Sequence, residues 1–495
     1  MPKHRLFIKM TCLILASLSI LLLFPACANE TDNTGKETST DKAAAGTGSE
    51  ITDAESELTY EFPDLDFEGE EFTVLAQPVS VYDFYVDEMT GDNVDDSIYL
   101  RNLTVCENLN IEFYEDYSKS DPEILSEIEK AVKTQDDTYD LVSHHVISLG
   151  QVILKDCLRN WYELPYVDFE NPWWSSSTVE DSTYNGIAFF AVGDYALTAM
   201  AYTFCMYFNK TLAEEYALGD IYQTVLNGEW TLGKLTELSK DIYSDLNGNS
   251  NADEDDFYGL SMRTGGTHTA AFQWAFDNPI MRRNSDGTLT LALNTEKMPE
   301  IVVQLNNLAH DNPGTYATSD RDTSYDIFME ERAVFCMGEV GNSLSYFGDM
   351  NDIGLIPYPK WNVEQTEYHT MSNGAHDVLA VPKSINTEAE MELTGAVTEA
   401  LCAQTYMLVM PEYYSRALKY QGMKDEISSQ ILDMILDSRV FDFGFIYNSW
   451  SGAAFLMQEL VAANNDNWAS TWKRNERSYK RYYQNLFNFF DNYQP

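Results

Sequence analysis

From Glu71 onward the chain alternates short β-forming runs with segments of helical period, and no other feature narrows its fold as much. EFTVLA (71–76) reads as a strand, and residues 95–109 (DDSIYLRNLTVCENL) carry apolar positions at helical spacing. IEFYE (111–115) reads as a second strand, 122–132 as a helix, and YDLVS (139–143) as a third strand. Strands joined through helices return in the same direction, so this βαβαβ order predicts a parallel sheet with helices on its faces. Further on, GIAFFAV (186–192) and TFCMYFN (203–209) read as strands flanking Gly193-Asp194-Tyr195. Helical stretches follow at 210–217, 231–245, 295–310, 322–332, 387–409, 424–439 and 452–464. At 495 residues there is length for two or more cores.

The N-terminus reads as an export signal. Lys3, Arg5 and Lys9 form a basic start, and residues 11–25 (TCLILASLSILLLFP) make one apolar run, short for a membrane span. Ala26-Cys27-Ala28 follows and resembles a bacterial lipobox, in which the Cys is lipidated after cleavage. Phe24 and Pro25 depart from that pattern, and Ala26-x-Ala28 also fits ordinary signal cleavage. Residues 28–57 are polar, rich in Thr, Gly, Ala and Glu, and without apolar period, as a tether would be. The reading is a signal over 1–26, then lipidated Cys27 and linker over 27–57, which places the folded body on the outer face of the bacterial cytoplasmic membrane. The membrane is touched through the anchor only.

Asp and Glu number 79 against 31 Lys and Arg, a formal net charge of −48. Such a field repels phosphate backbones and anionic headgroups, which argues against nucleic acid as a partner. Beyond the signal and Cys27, the cysteines are Cys106, Cys157, Cys205, Cys336 and Cys402, an odd set without CxxC spacing, read as buried free thiols.

Eight segments, in this order, carry a family resemblance: YDLV (139–142), LRNWYELPYVDFENPWW (158–174), MYFNKTLAEEYAL (206–218), NGEWTLGKLTELSKDI (227–242), RAVFCMGEVGN (332–342), DIGLIPYPKW (352–361), DVLAVPKSIN (377–386) and MILDSRVFDFGFIYN (434–448). Together they resemble the extracellular solute-binding proteins of ABC importers, the sugar-binding group with the type II periplasmic-binding-protein fold. The resemblance implies an α/β chain in two lobes, each a mixed sheet flanked by helices, with a ligand cleft between them. It implies three crossings, near 190–200, 365–370 and 402–410, which give lobe one as 58–193 plus 368–405 and lobe two as 194–367 plus 406–495. It also implies capture of a small carbohydrate, delivery to ABC transporter permease subunits, a monomer, and no required cofactor.

Aromatic residues make up 13% of the chain, and flat rings match the apolar faces of pyranose sugars, so several become ligand candidates. Trp173 and Trp174 follow a proline in a loop, where two adjacent indoles are expected to point different ways, leaving one for a ligand. Asp194 and Tyr195 lie at the first implied crossing, and Trp274 and Trp361 complete the aromatic set. Glu339 sits after a small-residue turn, and His376 and Asp377 beside the second crossing. For each, scaffold packing is the competing reading. Arg439, a lone base in DSRVFDFGF, is expected to pair with a carboxylate such as Asp442 and to hold a helix.

Asp245, Asn247, Asn249, Asn251, Asp253 and Asp256 occupy positions 1, 3, 5, 7, 9 and 12 of a loop, the spacing that curls hard oxygens around Ca²⁺. Ser250 stands where an EF-hand has Gly, and Asp256 replaces the usual Glu. The alternatives are a structural calcium site and an acidic, Asn-rich turn. Gly228 to Leu235 mimics a phosphate loop, yet Leu235 stands where Mg²⁺ needs Ser or Thr, and Thr231 reads better as a helix N-cap. No HExxH or GxSxG appears, and the seven His are dispersed. An enzyme is not expected; two opposed carboxylates of a glycoside hydrolase, or a non-sugar receptor, are the alternatives.

Overall fold

The computed structural model describes residues 59–78, 85–86, 88–293, 296–419, 426–448 and 452–495. The signal, Cys27 and the linker lie outside the described residues. The first sheet is built from β1 (Glu70–Ala76), β2 (Ile111–Asp116) and β3 (Leu141–His145), with α1 (Asn93–Leu109) and α2 (Asp121–Thr134) as crossovers. Both β1 pairings are parallel, as the βαβαβ order requires. Local chemistry sets the helix limits. The Asp92 carboxylate accepts the N–H groups of Val94 and Asp95 at the start of α1, and Asn110 ends it at φ 50°. A Ser120/Glu123 capping box and Pro122 open α2.

The second sheet gathers β4 (Phe204–Asn209), β5 (Tyr243–Ser244), β6 (Phe257–Arg263), β9 (Thr315–Thr318), β10 (Ala333–Glu339) and β11 (Ile353–Ile356). Its order is β11-β4-β10-β6-β5, with β9 also on β6. Between these strands lie α3 (Leu232–Ser239), α4 (His268–Ala275), the β7–β8 hairpin (Met281–Arg283 and Leu289–Leu291), α5 (Met298–Asn306) and α6 (Arg321–Met329). Thr231 does cap α3, accepting from the N–H of Lys234. The chain then forms β12 (Thr370–Met371) and re-enters the first sheet as β13 (Asp377–Ala380), antiparallel to β3. Both sheets are therefore mixed or parallel α/β layers, with buried apolar residues on their strands.

After β13 come α7 (Glu388–Gln404), a π-helical turn (Thr405–Val409), α8 (Met410–Lys419), α9 (Glu426–Asp437), β14 (Arg439–Val440), α10 (Leu456–Ala462) and α11 (Trp468–Asp491). Every residue of α7 from Leu393 onward is buried, which marks it as an inner helix. The widened turn precedes Pro411, whose ring and missing N–H disrupt a regular ladder.

Two sequence expectations are corrected. GIAFFAV (186–192) forms no ladder strand; it is extended chain held by single bridges, Ala191 to Leu379 among them. The helix expected over 231–245 ends at Ser239, because β5 then joins β6. Near the third implied crossing, Val409 and Met410 pack with Val94 and Ile98 of α1, and Asn93 donates to Glu412 at 2.9 Å. The C-terminal helix makes contacts at both of its ends. At one end of α11, Asn306 donates to Asp466 at 2.6 Å; at the other, the backbone N–H of Asn160 donates to the Tyr493 hydroxyl at 3.1 Å.

Candidate ligand cavity

The site starts from a close approach. An added Cβ at Gly193 would stand 2.5 Å from the Cys402 sulfur and 2.9 Å from the Trp174 ring, so only glycine lets these chains meet. Gly193 bridges Trp174, and the N–H of Asp194 donates to the Trp173 carbonyl at 2.9 Å. Asp194 is thereby fixed in the lining of a cavity of about 140 Å³, which Trp174, Met200, Met410, Leu436 and Arg439 also line. Arg439 is positioned by β14, paired with β12, and its Nε donates to the Leu436 carbonyl at 2.9 Å.

Asp194 and Arg439 face each other's field without forming an ion pair within 4.0 Å. Burial pushes the Asp194 carboxyl up to about 7, against the pull of Arg439. Burial likewise lowers the Arg439 pKa, while Asp194 and Asp437 raise it. The carboxylate of Asp194 and the terminal nitrogens of Arg439 make no hydrogen bond among the described residues, so both keep donor and acceptor capacity for a ligand. The expected Arg439–Asp442 pair does not form. Asp442 instead accepts from the Trp274 indole at 2.8 Å and from the N–H groups of Ile280, Met281 and Gly444.

Most sequence-selected residues serve the scaffold. Both indoles of the Trp173-Trp174 pair turn inward: their Nε1–H groups donate to Glu399 at 2.8 and 2.7 Å, where Asn171 and the Asp168 N–H converge too. Of the pair, Trp174 lines the cavity and Trp173 does not. Tyr195 is buried under the Arg101 guanidinium, 4.7 Å from its ring centre. Trp361 packs edge-on against Phe276 beneath the Lys297 ammonium. Asp377 accepts from Gln77 at 2.6 Å inside the first sheet.

Glu339 and His376 share a partner, Asn373. The Asn373 amide donates to Glu339 at 2.5 Å, and burial raises that carboxyl to about 7. His376 holds its Nδ1 proton against the Asn373 carbonyl at 2.7 Å and is pushed down to about 4 by burial. With Trp274 and Ser372 it lines a second cavity of about 10 Å³, room for one water-sized group. Of the nine ligand candidates, then, Trp174 and Asp194 share the larger cavity, Trp274 and His376 the small one, and the other five line neither. Sequence reasoning assigned Arg439 only a structural part; its isolation among apolar and acidic neighbours was the available signal.

In the Asn-rich loop, Asp245 accepts the N–H groups of Gly248 and Ser250, and Ser250 takes φ 63°, the left-handed turn that position requires. Asn247 and Asn249 accept from Asn249 and Asn251 in succession. Asp256 is buried and accepts from Tyr243 and Leu246. Among the described residues no three of His, Cys, Asp and Glu form a metal-holding group, so any ion here depends on Asn and carbonyl oxygens as well. No described helix is long and apolar enough to cross a membrane.

No protein-family model and no curated protein sequence matches the chain. Solved structures do. The galacto-N-biose/lacto-N-biose I-binding protein of the ABC transporter from Bifidobacterium longum aligns with a TM-score of 0.54 at 12% identity, over 84% of this chain and 98% of that one. UgpB from Mycobacterium tuberculosis, solved with glycerophosphocholine, gives 0.54 at 14% identity, over 85% and 98%. The maltose/maltodextrin-binding domain MalE of Bdellovibrio bacteriovorus, bound to maltotriose, gives 0.50 at 14%, over 82% and 100%. With its two sheets, its returning β13 and these likenesses together, the chain has the two-lobed α/β fold of the periplasmic binding proteins.

Proposed function

We propose that this chain is an exported, lipid-anchored solute-binding protein that captures a carbohydrate and passes it unchanged to the permease of an ABC importer. One observation carries the reading: where the chain leaves the first sheet for the second, a cavity holds Asp194 and Arg439, whose carboxylate and terminal guanidinium nitrogens respectively make no hydrogen bond among the described residues. A sugar hydroxyl both donates and accepts, so one ring can engage the carboxylate and the guanidinium together. Asp194 is the one carboxylate among the residues lining this cavity, whereas glycoside hydrolysis uses two. Calorimetry on the soluble body with a sugar panel, beside an assay for released product, tests it. Saturable binding without turnover is expected; turnover would replace the proposal with an enzyme.

Cys27 is the proposed lipid attachment, and Cys27→Ala should move the protein from membrane to soluble fractions. Calcium in the 245–256 loop is proposed as a structural ion, supported by the left-handed Ser250 and by the side-chain turns that close the loop. Chelation should lower the melting temperature, and Asp245→Ala should abolish that response. Equal melting with and without chelator would dispose of the ion.

A further inference from the structure

We infer that the cavity beside Asp194 takes a single neutral sugar ring, or a polyol of that size, and rejects longer saccharides; this rests on the solute-binding reading above. Three observations converge. The cavity measures about 140 Å³. At roughly 10–15 Å³ for each water-sized group, that is room for about ten, close to the dozen or so non-hydrogen atoms of one hexose. A second ring would have to extend past that volume through the cavity's open side.

Among the described residues that line the cavity, Trp174 is the one aromatic. Longer saccharides present successive apolar ring faces that need exposed aromatic surfaces. Here Trp173 and Trp174 are each 4% exposed and tied to Glu399, Trp274 is 2% exposed and tied to Asp442, and Tyr195 is fully covered. Trp361 keeps some exposure but lies against Phe276 and Lys297 and does not line the cavity.

The charges select for neutrality. Asp194 and Arg439 both line the cavity and form no ion pair with one another. An anion gains from Arg439 and is repelled by Asp194; a cation meets the reverse. A neutral polyhydroxy ring satisfies both, donating to Asp194 and accepting from Arg439.

Calorimetry on the intact soluble body decides the matter, with free hexoses and pentoses, their di- and trisaccharides, sugar acids, and zwitterionic amino acids as probes. Saturable binding of at least one monosaccharide is expected, with its disaccharides about a hundredfold weaker. Asp194→Asn and Arg439→Met should each weaken that monosaccharide by about tenfold or more, while Trp361→Ala leaves it unchanged. Tighter binding of a di- or trisaccharide, sensitive to Asp194→Asn, overturns the single-ring inference and leaves the carbohydrate reading standing. Preference for a sugar acid overturns the neutrality claim in the same way. Binding of amino acids alone, with every saccharide silent, sinks both.

Discussion

Glu399 shows how a side chain far along the sequence decides what its partners do. Two indoles, one amide and one backbone N–H converge on its carboxylate, and that convergence removes Trp173 and Trp174 from any stacking role. Glu399→Ala would strand these donors in a buried site and should cost about 3–5 kcal/mol, read from the denaturant midpoint. Glu399→Gln, which keeps one acceptor, should cost less. None of this was legible in the sequence, because the partner lies more than two hundred residues away. Asp194 was singled out in the sequence for its place at the first implied crossing, and it does line the larger cavity. Arg439 was half legible: its isolation was visible, but the wrong carboxylate stood nearest in sequence.

At the scale of elements, the βαβαβ start was readable because its strands are short, its helices are capped by Asp92 and Ser120, and every period is local. The long helix α11 was not read. Its buried positions, Trp468, Trp472, Tyr479, Tyr483, Leu486 and Phe490, recur at helical spacing, but Arg, Lys, Asn and Gln fill the positions between and blur the apolar signal. Phe490 packs with Phe189, Tyr184, Phe443 and Tyr447. Phe490→Ala should therefore cost about 3–5 kcal/mol, whereas Phe489→Ala, on the less buried neighbour, should cost clearly less. Equal losses in thermal unfolding would remove α11 from the core.

For the whole molecule, buried titratable groups pull stability in opposite directions with pH. Burial raises Asp140, Asp194 and Glu339 to about 7, so their folded forms hold protons that the unfolded chain has released; their contribution grows as pH falls from about 7 toward 4. His145 and His376 are pushed down to about 4, so their contribution is full above about 6.5 and is lost as pH falls through 4. Between about pH 4 and 7 the two sets therefore oppose each other, the three carboxyls favouring the acid side and the two histidines the neutral side. Removing one set exposes the other: Asp140→Asn should tilt the profile toward loss in acid, and His376→Gln toward gain. Parallel profiles for all three proteins would contradict the assignment. The architecture itself was legible from the order of eight segments, while the lobe limits were not, since α8 and α11 pack where the chain order alone would not put them.

That packing bears on biogenesis. Tyr184, Phe189 and Asn160, early in the chain, are covered by Phe490 and Tyr493, and Lys383 lies over the Tyr493 ring. During synthesis the early segment waits for roughly three hundred further residues before its apolar face is sealed. A nascent polypeptide with that dependence acquires its final rigidity only once its last residues are free to fold back on its early ones.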